Sequence, residues 1–454
     1  MARRRRRLNP GIAHDEDCVS GAMGGEYNPA QNHRADATEH PENPLKLLGP
    51  GLITGASDDD PSGIATYSQV GAQFGYGLSW VMLFSWPLMC AVQEISARIG
   101  RVTGRGIAGN LRKHYPAWVG FSIVFLLVTA NVINLGADLG AMGAALKLLV
   151  GGPALLYVAL FGLASLLLEI FVHYDRYVSI LKWLSLSLLA YVGVAFIVDI
   201  PWATVGYNLV IPQMEFTSSS ITAVVAVLGT TISPYLFFWQ AEEEVEDVNK
   251  RDEANPLRQA PEQAPSEFRR IRWDTYAGMG VSNAVALFII LTTAATLNAH
   301  GITDIQTSSQ AAEALRPIAG PFAFGVFALG IIGTGLLALP VLAGSSAYAL
   351  GEMLGWRVGL LHRARRAKAF YGALATATVI GVILNFTPID PIEALFWSAV
   401  INGIVAVPVM GFMMHISSKS AAMGEFKLPV GLRVMGWMTT LVMACAAVGL
   451  LVTA

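Results

Sequence analysis

Long apolar segments alternate with short polar segments between residues 46 and 453. Each apolar segment has about 20 residues or more, which is the length a helix needs to cross a bilayer. The pattern predicts an all-α polytopic membrane protein with eleven transmembrane helices. The predicted spans are 46–75, 78–100, 117–148, 153–172, 177–199, 218–247, 274–298, 320–352, 368–386, 391–415 and 431–453.

The composition agrees with a membrane protein and argues against several other classes. The chain is 54% hydrophobic and 14% charged, whereas charged residues make up about 25% of an average soluble protein. Three cysteines, Cys18, Cys90 and Cys445, lie far apart, so neither a disulfide framework nor a zinc site is predicted. No catalytic constellation or cofactor motif is visible, and we expect no enzymatic activity and no cofactor.

Residues 1–44 are polar and contain five consecutive arginines at 3–7. No apolar stretch follows these arginines, so they do not form a signal peptide. We interpret 1–44 as a disordered cytoplasmic tail that touches anionic lipid, with nucleic-acid binding as a remote alternative. The transporter domain is then expected at 45–454, and the chain is expected to be a monomer.

The basic residues are distributed very unevenly between the two sides of the predicted spans. With the N-terminus inside, 28 of the 30 Lys and Arg residues fall on the inner side. Only Lys147 and Arg316 fall outside. Because inner loops of membrane proteins are enriched in Lys and Arg, this predicts a cytoplasmic N-terminus and an extracytoplasmic C-terminus. The expected location is the plasma membrane, here the inner membrane of a bacterium.

Two of the predicted spans are interrupted at their middle by polar and helix-breaking residues. Span 1 contains Asp58, Asp59 and Asp60 followed by Pro61, and span 6 reads Gly-Thr-Thr-Ile-Ser-Pro at 229–234. Carboxylates at bilayer depth are costly and mark ion pathways, although the acids could instead lie in a loop outside the membrane.

The two interrupted spans are five spans apart, so a five-helix repeat would cross the membrane in opposite directions. This spacing predicts an inverted-repeat transporter with broken helices 1 and 6. Repeat one covers about 46–199 and repeat two about 218–415, and the span at 431–453 is additional.

Three stretches resemble the NRAMP family of divalent-metal transporters. The run from Asp60 to Gly63 stands where that family has Asp-Pro-Gly-Asn, and 93–104 resembles its Gln-x-x-x-Ala-Arg-x-Gly-x-x-Thr-Gly stretch. The run from Gly229 to Tyr235 corresponds to its sixth helix, where Met-Pro-His is usual. The resemblance covers most of 46–453 and implies the LeuT-type fold of five plus five spans.

This chain departs from the family pattern at the positions that carry metal and proton chemistry. Ser233 replaces the metal-binding methionine, Gly63 replaces the asparagine ligand and Tyr235 replaces the histidine. The proton-linked aspartate corresponds to Leu135, while Asp138 fits the acid three positions later. A site with oxygen ligands and more space suits hydrated Mg²⁺. The pattern is most similar to the NRAMP-related magnesium transporters, which are thought to work without proton coupling.

The resemblance and the acids together imply a metal site. We expect Asp60 to anchor the ion and Ser233 to complete an outer shell with backbone carbonyls near Thr230 and Gly63. Asp58 and Asp59 would add negative potential, and whether they also bind the ion stays open. Further residues expected in the cavity or around it are Asp138, Asn134, Tyr235, Thr231 and Asn402.

The predicted function is transport of Mg²⁺, and also of Mn²⁺, in a largely hydrated form. The alternative is a proton-coupled Mn²⁺/Fe²⁺ transporter of the NRAMP type, which the missing methionine and histidine argue against. A transporter of organic substrates ranks lower, because three adjacent aspartates repel a substrate carboxylate. The expected partners are a divalent metal ion and the lipid bilayer, without nucleic acid.

Overall fold

The computed structural model describes residues 55, 58–172, 186–251, 253–360, 362 and 364–453. All regular secondary structure in these residues is helical, which confirms the all-α class. The predicted tail at 1–44, the first part of span 1 and the first half of span 5 lie outside the described residues.

Seventeen α-helices are found in the described part of the chain. They are α1 Pro61–Phe74, α2 Trp80–Thr103, α3 Ile107–His114, α4 Ala117–Val150, α5 Ala154–Phe171, α6 Leu189–Ala195, α7 Trp202–Val210, α8 Ser218–Thr231, α9 Pro234–Lys250, α10 Ala264–Thr296, α11 Ser308–Glu313, α12 Arg316–Ala319, α13 Ala323–Leu354, α14 Lys368–Leu384, α15 Pro391–Ser418, α16 Ser420–Met423 and α17 Val430–Thr453.

Seven helical segments of the described chain are long and apolar enough to cross a membrane. One of these, Ser218–Lys250, contains both α8 and α9, and α14 is a shorter apolar helix. Large apolar side chains on the outer surface, such as Trp118, Phe125 and Phe171, are exposed. An exposed apolar surface is expected for helices that contact lipid, so the chain is an integral membrane protein. The count of eleven spans stays a prediction.

The long helix α4 lies at the centre of the packing. It contacts α5, α13, α14 and α15, while α1 packs on α10 and α9 packs on α2.

The close approach of α8 to α15 depends on glycine. A Cβ atom at Gly229 would lie 2.0 Å from the carbonyl oxygen of Ala399, a distance that no real side chain tolerates. Small residues at such crossings let membrane helices pack backbone to backbone.

Helix boundaries occur at both predicted interruptions. Helix α1 begins at Pro61 with Asp60 as its N-cap, and α8 ends at Thr231 before α9 begins at Pro234. Proline suits the first position of a helix because it has no N–H to leave unpaired there. The interpretation of each interruption as a break within one membrane span stays a prediction.

Candidate functional site

Asp60 is fully buried and accepts four hydrogen bonds at the start of α1. Its Oδ1 accepts from the Gly63 N–H at 2.8 Å and from the Ser62 hydroxyl at 2.6 Å. Its Oδ2 accepts from the Asn134 amide at 3.0 Å and from the Tyr235 hydroxyl at 3.2 Å. A carboxylate that N-caps a helix is also stabilised by the positive end of the helix dipole. The site therefore has one carboxylate held by hydroxyl, amide and backbone N–H groups.

The junction of α8 and α9 supplies hydroxyl and carbonyl oxygens. Ser233 donates to the carbonyls of Gly229 at 2.7 Å and Thr230 at 2.8 Å. Thr231 donates to the Val227 carbonyl at 2.9 Å. These bonds use the hydroxyl protons and leave oxygen lone pairs that can accept from a water molecule.

The space expected at Gly63 is occupied in this conformation. A Cβ atom at this position would lie 3.2 Å from both the Thr230 hydroxyl and the Tyr67 ring. Gly63 therefore brings α1 close to the end of α8, and this joins the two interrupted helices at one place. The absence of a side chain serves close packing here rather than a larger cavity.

Asp58 and Asp59 point away from the groups that hold Asp60. The hydroxyl of Ser282 on α10 lies 2.6 Å from Asp58 Oδ2 and 3.1 Å from Asp59 Oδ1. The second oxygen of Asp58 has no hydrogen-bond partner, and both residues are buried. One hydroxyl proton can satisfy only one of these oxygens at a time. The pair thus adds negative charge beside Asp60 but does not share its hydrogen-bond partners.

Helices α4 and α15 form the wall behind Asp60. Asn134 donates to Asp60 and accepts a 2.7 Å hydrogen bond from the Ser398 hydroxyl, which fixes the orientation of its amide. Asp138 follows one turn later on α4, buried, and neither of its carboxylate oxygens has a hydrogen-bond partner. Asn402 on α15 is also buried with both amide atoms unpaired. Two polar side chains near the site are thus free to contact a solvated ion.

A cavity of about 580 Å³ opens on the side of the protein opposite the Lys- and Arg-rich end of the helices. It is lined along α1 by Ala65, Gln69 and Gln73, which lie on the side of the helix that leads from Asp60 to the surface. Its acidic lining residues are Asp304, Asp390 and Glu393. A cleft with acidic walls concentrates cations near its mouth.

Five acids, Glu242, Glu243, Glu244, Glu246 and Asp247, lie near the end of α9 at the opposite end of the molecule, and two of them form ion pairs with arginines. Glu244 contacts Arg270 at 2.5 Å, and Asp247 contacts Arg101 at 3.1 Å. Arg101 is fully buried and also contacts Glu267 at 2.9 Å. These side chains join α2, α9 and α10 into an ion-pair network at the end of the molecule that we call the basic face.

The structure brings together most of the residues that the sequence predicts for the site. Asp60, Asn134 and Tyr235 are in direct contact, and Gly63 lies against Thr230 beside Ser233 and Thr231. Sequence reasoning missed three hydroxyl groups that complete the arrangement. They are Ser62, Ser282 and Ser398, and the only signal for them was their polarity within apolar segments.

No group of three or more His, Cys, Asp or Glu side chains in the described residues is arranged to hold a metal ion. At Asp60 the geometry offers a buried carboxylate whose hydrogen-bond partners are neutral hydroxyl, amide and backbone N–H groups. Such a shell suits an ion that keeps part of its water, because neutral groups can hydrogen-bond to the water molecules.

Comparisons with known proteins identify the fold and the family of this chain. The chain resembles the crystal structure of a manganese transporter from Eremococcus coleocola, with a TM-score of 0.69 and 18% identity over 89% of this chain and 85% of that one. It also resembles MhsT bound to L-phenylalanine, with a TM-score of 0.59 and 15% identity over 87% and 98% of the two chains.

A third similar structure is Mhp1, a nucleobase-cation-symport-1 family transporter, with a TM-score of 0.56 and 14% identity over 89% and 91% of the two chains. At such low identity these matches establish a shared fold. Residues 51–453 match the sequence profile described as natural resistance-associated macrophage protein-like, or Nramp. Because this match spans most of the chain, the protein belongs to the Nramp family.

Proposed function

We propose that this protein is a secondary transporter that carries Mg²⁺, and also Mn²⁺, across the plasma membrane by alternating access without a coupled proton. Membership of the Nramp family supports transport of a divalent metal rather than catalysis. The similarity to a manganese transporter agrees with this. The basic face is then cytoplasmic, and the acidic cavity opens to the outside.

The chemistry around Asp60 is the observation that carries this proposal. Its hydrogen-bond partners are two hydroxyl groups, one amide and one backbone N–H. Mg²⁺ sheds water reluctantly and is usually held through one or two carboxylates and several waters. Ser233 places a hard hydroxyl oxygen where a soft sulfur would favour other metals. One carboxylate with a hydroxyl-rich surround is thus suited to a hydrated Mg²⁺ ion.

The path to Asp60 runs along α1. Cations gather in the cavity near Asp304, Asp390 and Glu393 and pass the glutamines of α1 before reaching the buried carboxylate. Tyr235 and Asn134 donate hydrogen bonds to Asp60 Oδ2. An arriving ion with its waters takes the place of these two donors, which then turn to the water molecules.

Asp58 and Asp59 act on the ion through their potential rather than as ligands of the same ion. They face Ser282 on α10, whereas Asp60 faces α4 and α9. Their charge lowers the energy of a cation that passes Asp60 toward the basic face, because the interaction between buried charges is weakly screened.

A second candidate is the proton-coupled transport of Mn²⁺ or Fe²⁺. It is favoured by Asp138, a buried acid without a hydrogen-bond partner on the same helix as Asn134. Such a group can exchange a proton when a cation approaches. The two candidates differ in whether the lumen of a vesicle becomes acidic during metal uptake.

A metal panel in proteoliposomes tests both candidates. Uptake of Mg²⁺, Mn²⁺, Ca²⁺ and Cd²⁺ is followed with a pH dye inside the vesicles. We expect Mg²⁺ uptake that competes with Mn²⁺, without lumen acidification. S233M is expected to shift the preference toward Mn²⁺ and Cd²⁺, and S233A serves as its control because it removes the hydroxyl without adding sulfur.

Either of two results would contradict the proposal. Mn²⁺ uptake that Mg²⁺ does not inhibit would show that Mg²⁺ is not a substrate. Acidification of the lumen during uptake would establish the proton-coupled candidate, and the dye signal should then disappear in D138N.

A further inference from the structure

Carboxyl groups line the contact between α9 and α13 at the basic face. Glu242 of α9 is 2% exposed and lies beside Glu352 of α13. Oxygens of these two groups lie 1.8 and 2.6 Å from the place that a Cβ atom would occupy at Gly106, just before α3. The acid pair Glu242–Glu352 is thus packed against the start of α3, where only glycine fits.

Two carboxyl groups packed this closely against one backbone position share a proton, because two like charges in contact cannot both ionise. A proton on one of them also supplies the donor that two carboxylates lack. Glu352 already accepts from the backbone N–H of Gly106 at 2.8 Å and of Gly109 at 2.7 Å. Glu242 Oε1 has no hydrogen-bond partner. Glu352 is therefore the ionised member, and Glu242 carries the proton.

The acid pair differs from the other contacts that α9 makes at the same face. Ion pairs of Arg101 and Arg270 join α9 to α2 and α10, and these charges persist across the physiological pH range. The contact of α9 with α13 contains the acid pair beside a 2.6 Å hydrogen bond from the Tyr348 hydroxyl to Glu246, and of these the acid pair depends on one shared proton. Among the described residues, neither member of the acid pair forms an ion pair. The acid pair is therefore the part of the α9–α13 contact that a change of pH can weaken.

We propose that the acid pair is a proton-held latch that keeps the basic face closed, and that a rise in cytoplasmic pH releases it. When the proton leaves, two carboxylates remain in contact in a poorly screened place and repel each other. The helices α9 and α13 then separate, and the ion path opens toward the cytoplasm. This inference rests on the alternating access of the proposed function. The proton returns to the side from which it came, so no proton crosses the membrane.

Some of the charged groups around the acid pair favour its ionisation, and others oppose it. Arginines of the α3 region favour the ionised form of Glu352, and acids on α9 oppose a second negative charge on Glu242. A cavity of about 530 Å³ is lined in part by Glu352, while Glu242 lies behind it and is buried. The groups that face it are Arg105, Arg112 and Lys113 near α3, Glu243 and Glu246 on α9, Tyr348 on α13 and His362 beyond it.

The distance between the two sides of the latch can be measured with spin labels. Cysteines replace the exposed residues Ser266 on α10 and Arg357 after α13, in the full chain lacking its native cysteines and reconstituted in lipid nanodiscs. Electron–electron distances are recorded without metal from about pH 5 to about pH 9, a range that brackets the titration of perturbed carboxyl groups. We expect the ratio of separated to closed populations to rise with pH, by at most about tenfold per pH unit for one proton.

The variant E242Q tests whether Glu242 is the group whose titration changes the distance. Its amide donates to Glu352 as the protonated acid does but cannot lose the proton, so the closed population should persist at all pH values. E243Q, which removes one negative charge from the neighbouring position, should keep the pH dependence of the wild type.

A wild-type distance that is independent of pH overturns the latch, and so does a pH dependence that survives in E242Q. The wild-type titration decides the question even where E242Q does not fold. The readout uses no metal, so failure of the latch would leave the metal-uptake panel unaffected, and a negative panel would count against the proposed function separately.

Discussion

Replacing Asp60 by asparagine tests the central assignment with little change in side-chain shape. The side chain introduced by D60N can still accept from Gly63 and Ser62 through its carbonyl oxygen. Its amide nitrogen, however, would face the donors of Asn134 and Tyr235 in place of Oδ2. Hydrogen bonds to a charged group contribute about 1.5–3 kcal/mol each, so the ion-free protein loses two favourable contacts as well as the charge.

The loss of affinity for a cation can be estimated from the charge alone. Two unit charges 4 Å apart interact by about 4 kcal/mol at an effective dielectric constant of about 20. A divalent ion held through water lies farther away but carries twice the charge. Even a loss of about 2.7 kcal/mol weakens binding about a hundredfold. We therefore expect D60N to reduce Mg²⁺ uptake at least about a hundredfold.

The assay is initial-rate Mg²⁺ uptake into proteoliposomes, normalised to the amount of folded protein. S62A is the matched control, because it keeps the carboxylate and removes one donor at 2.6 Å. A neutral donor to a carboxylate accounts for about 1.5–3 kcal/mol, part of which water restores, so about a tenfold loss of uptake is expected. Uptake by D60N within a few fold of the wild type would refute the assignment of Asp60 as the ion anchor.

Three further substitutions test other parts of the structure. R101A removes one of the arginines that pair with Glu267 and Asp247, both of which keep Arg251 and Arg270, and should lower stability by about 1.5–3 kcal/mol, seen as a lower Tm in detergent, while an unchanged Tm would show that Arg101 is dispensable for stability. Gly229→Ala forces a Cβ atom into a backbone carbonyl and should abolish folded protein in size-exclusion chromatography, whereas G206A, with nothing within 4 Å, should behave as wild type. D138N should leave Mg²⁺ uptake and its lack of lumen acidification unchanged, and a large loss of uptake would implicate this acid in transport.

The positions of most long helices follow from the sequence, because long apolar runs and the helix-breaking residues between them act locally, whereas the short helices α3 and α7 lie between the predicted spans. Pro61 and Pro234 each begin a helix, and the residue before each has an extended backbone. Proline constrains its own φ angle and the preceding residue whatever the tertiary fold. A helix start at Pro61 with Asp60 before it is therefore a local feature, whereas the choice of Asp60 as the ion anchor was implied by the resemblance to the Nramp family.

The orientation of the side chains could not be predicted in this way. Three adjacent aspartates look equivalent in the sequence, yet Asp60 binds Asn134 and Tyr235 while Asp58 faces Ser282. Adjacent residues at a helix start point in different directions, and which neighbours they meet depends on helices more than 70 residues away in the chain.

Local composition and short motifs were enough to predict the membrane class, most of the long helices and the family, while the count of eleven spans and the breaks within two of them stay predictions. The folded arrangement was needed to learn which hydroxyls surround Asp60, that Gly63 serves close packing, and that Glu242 meets Glu352. These features arise from contacts between α1, α4, α9 and α13. Such contacts depend on how distant segments pack, with a precision of about one methyl group. The hydrophobic pattern along the chain does not specify packing at that precision.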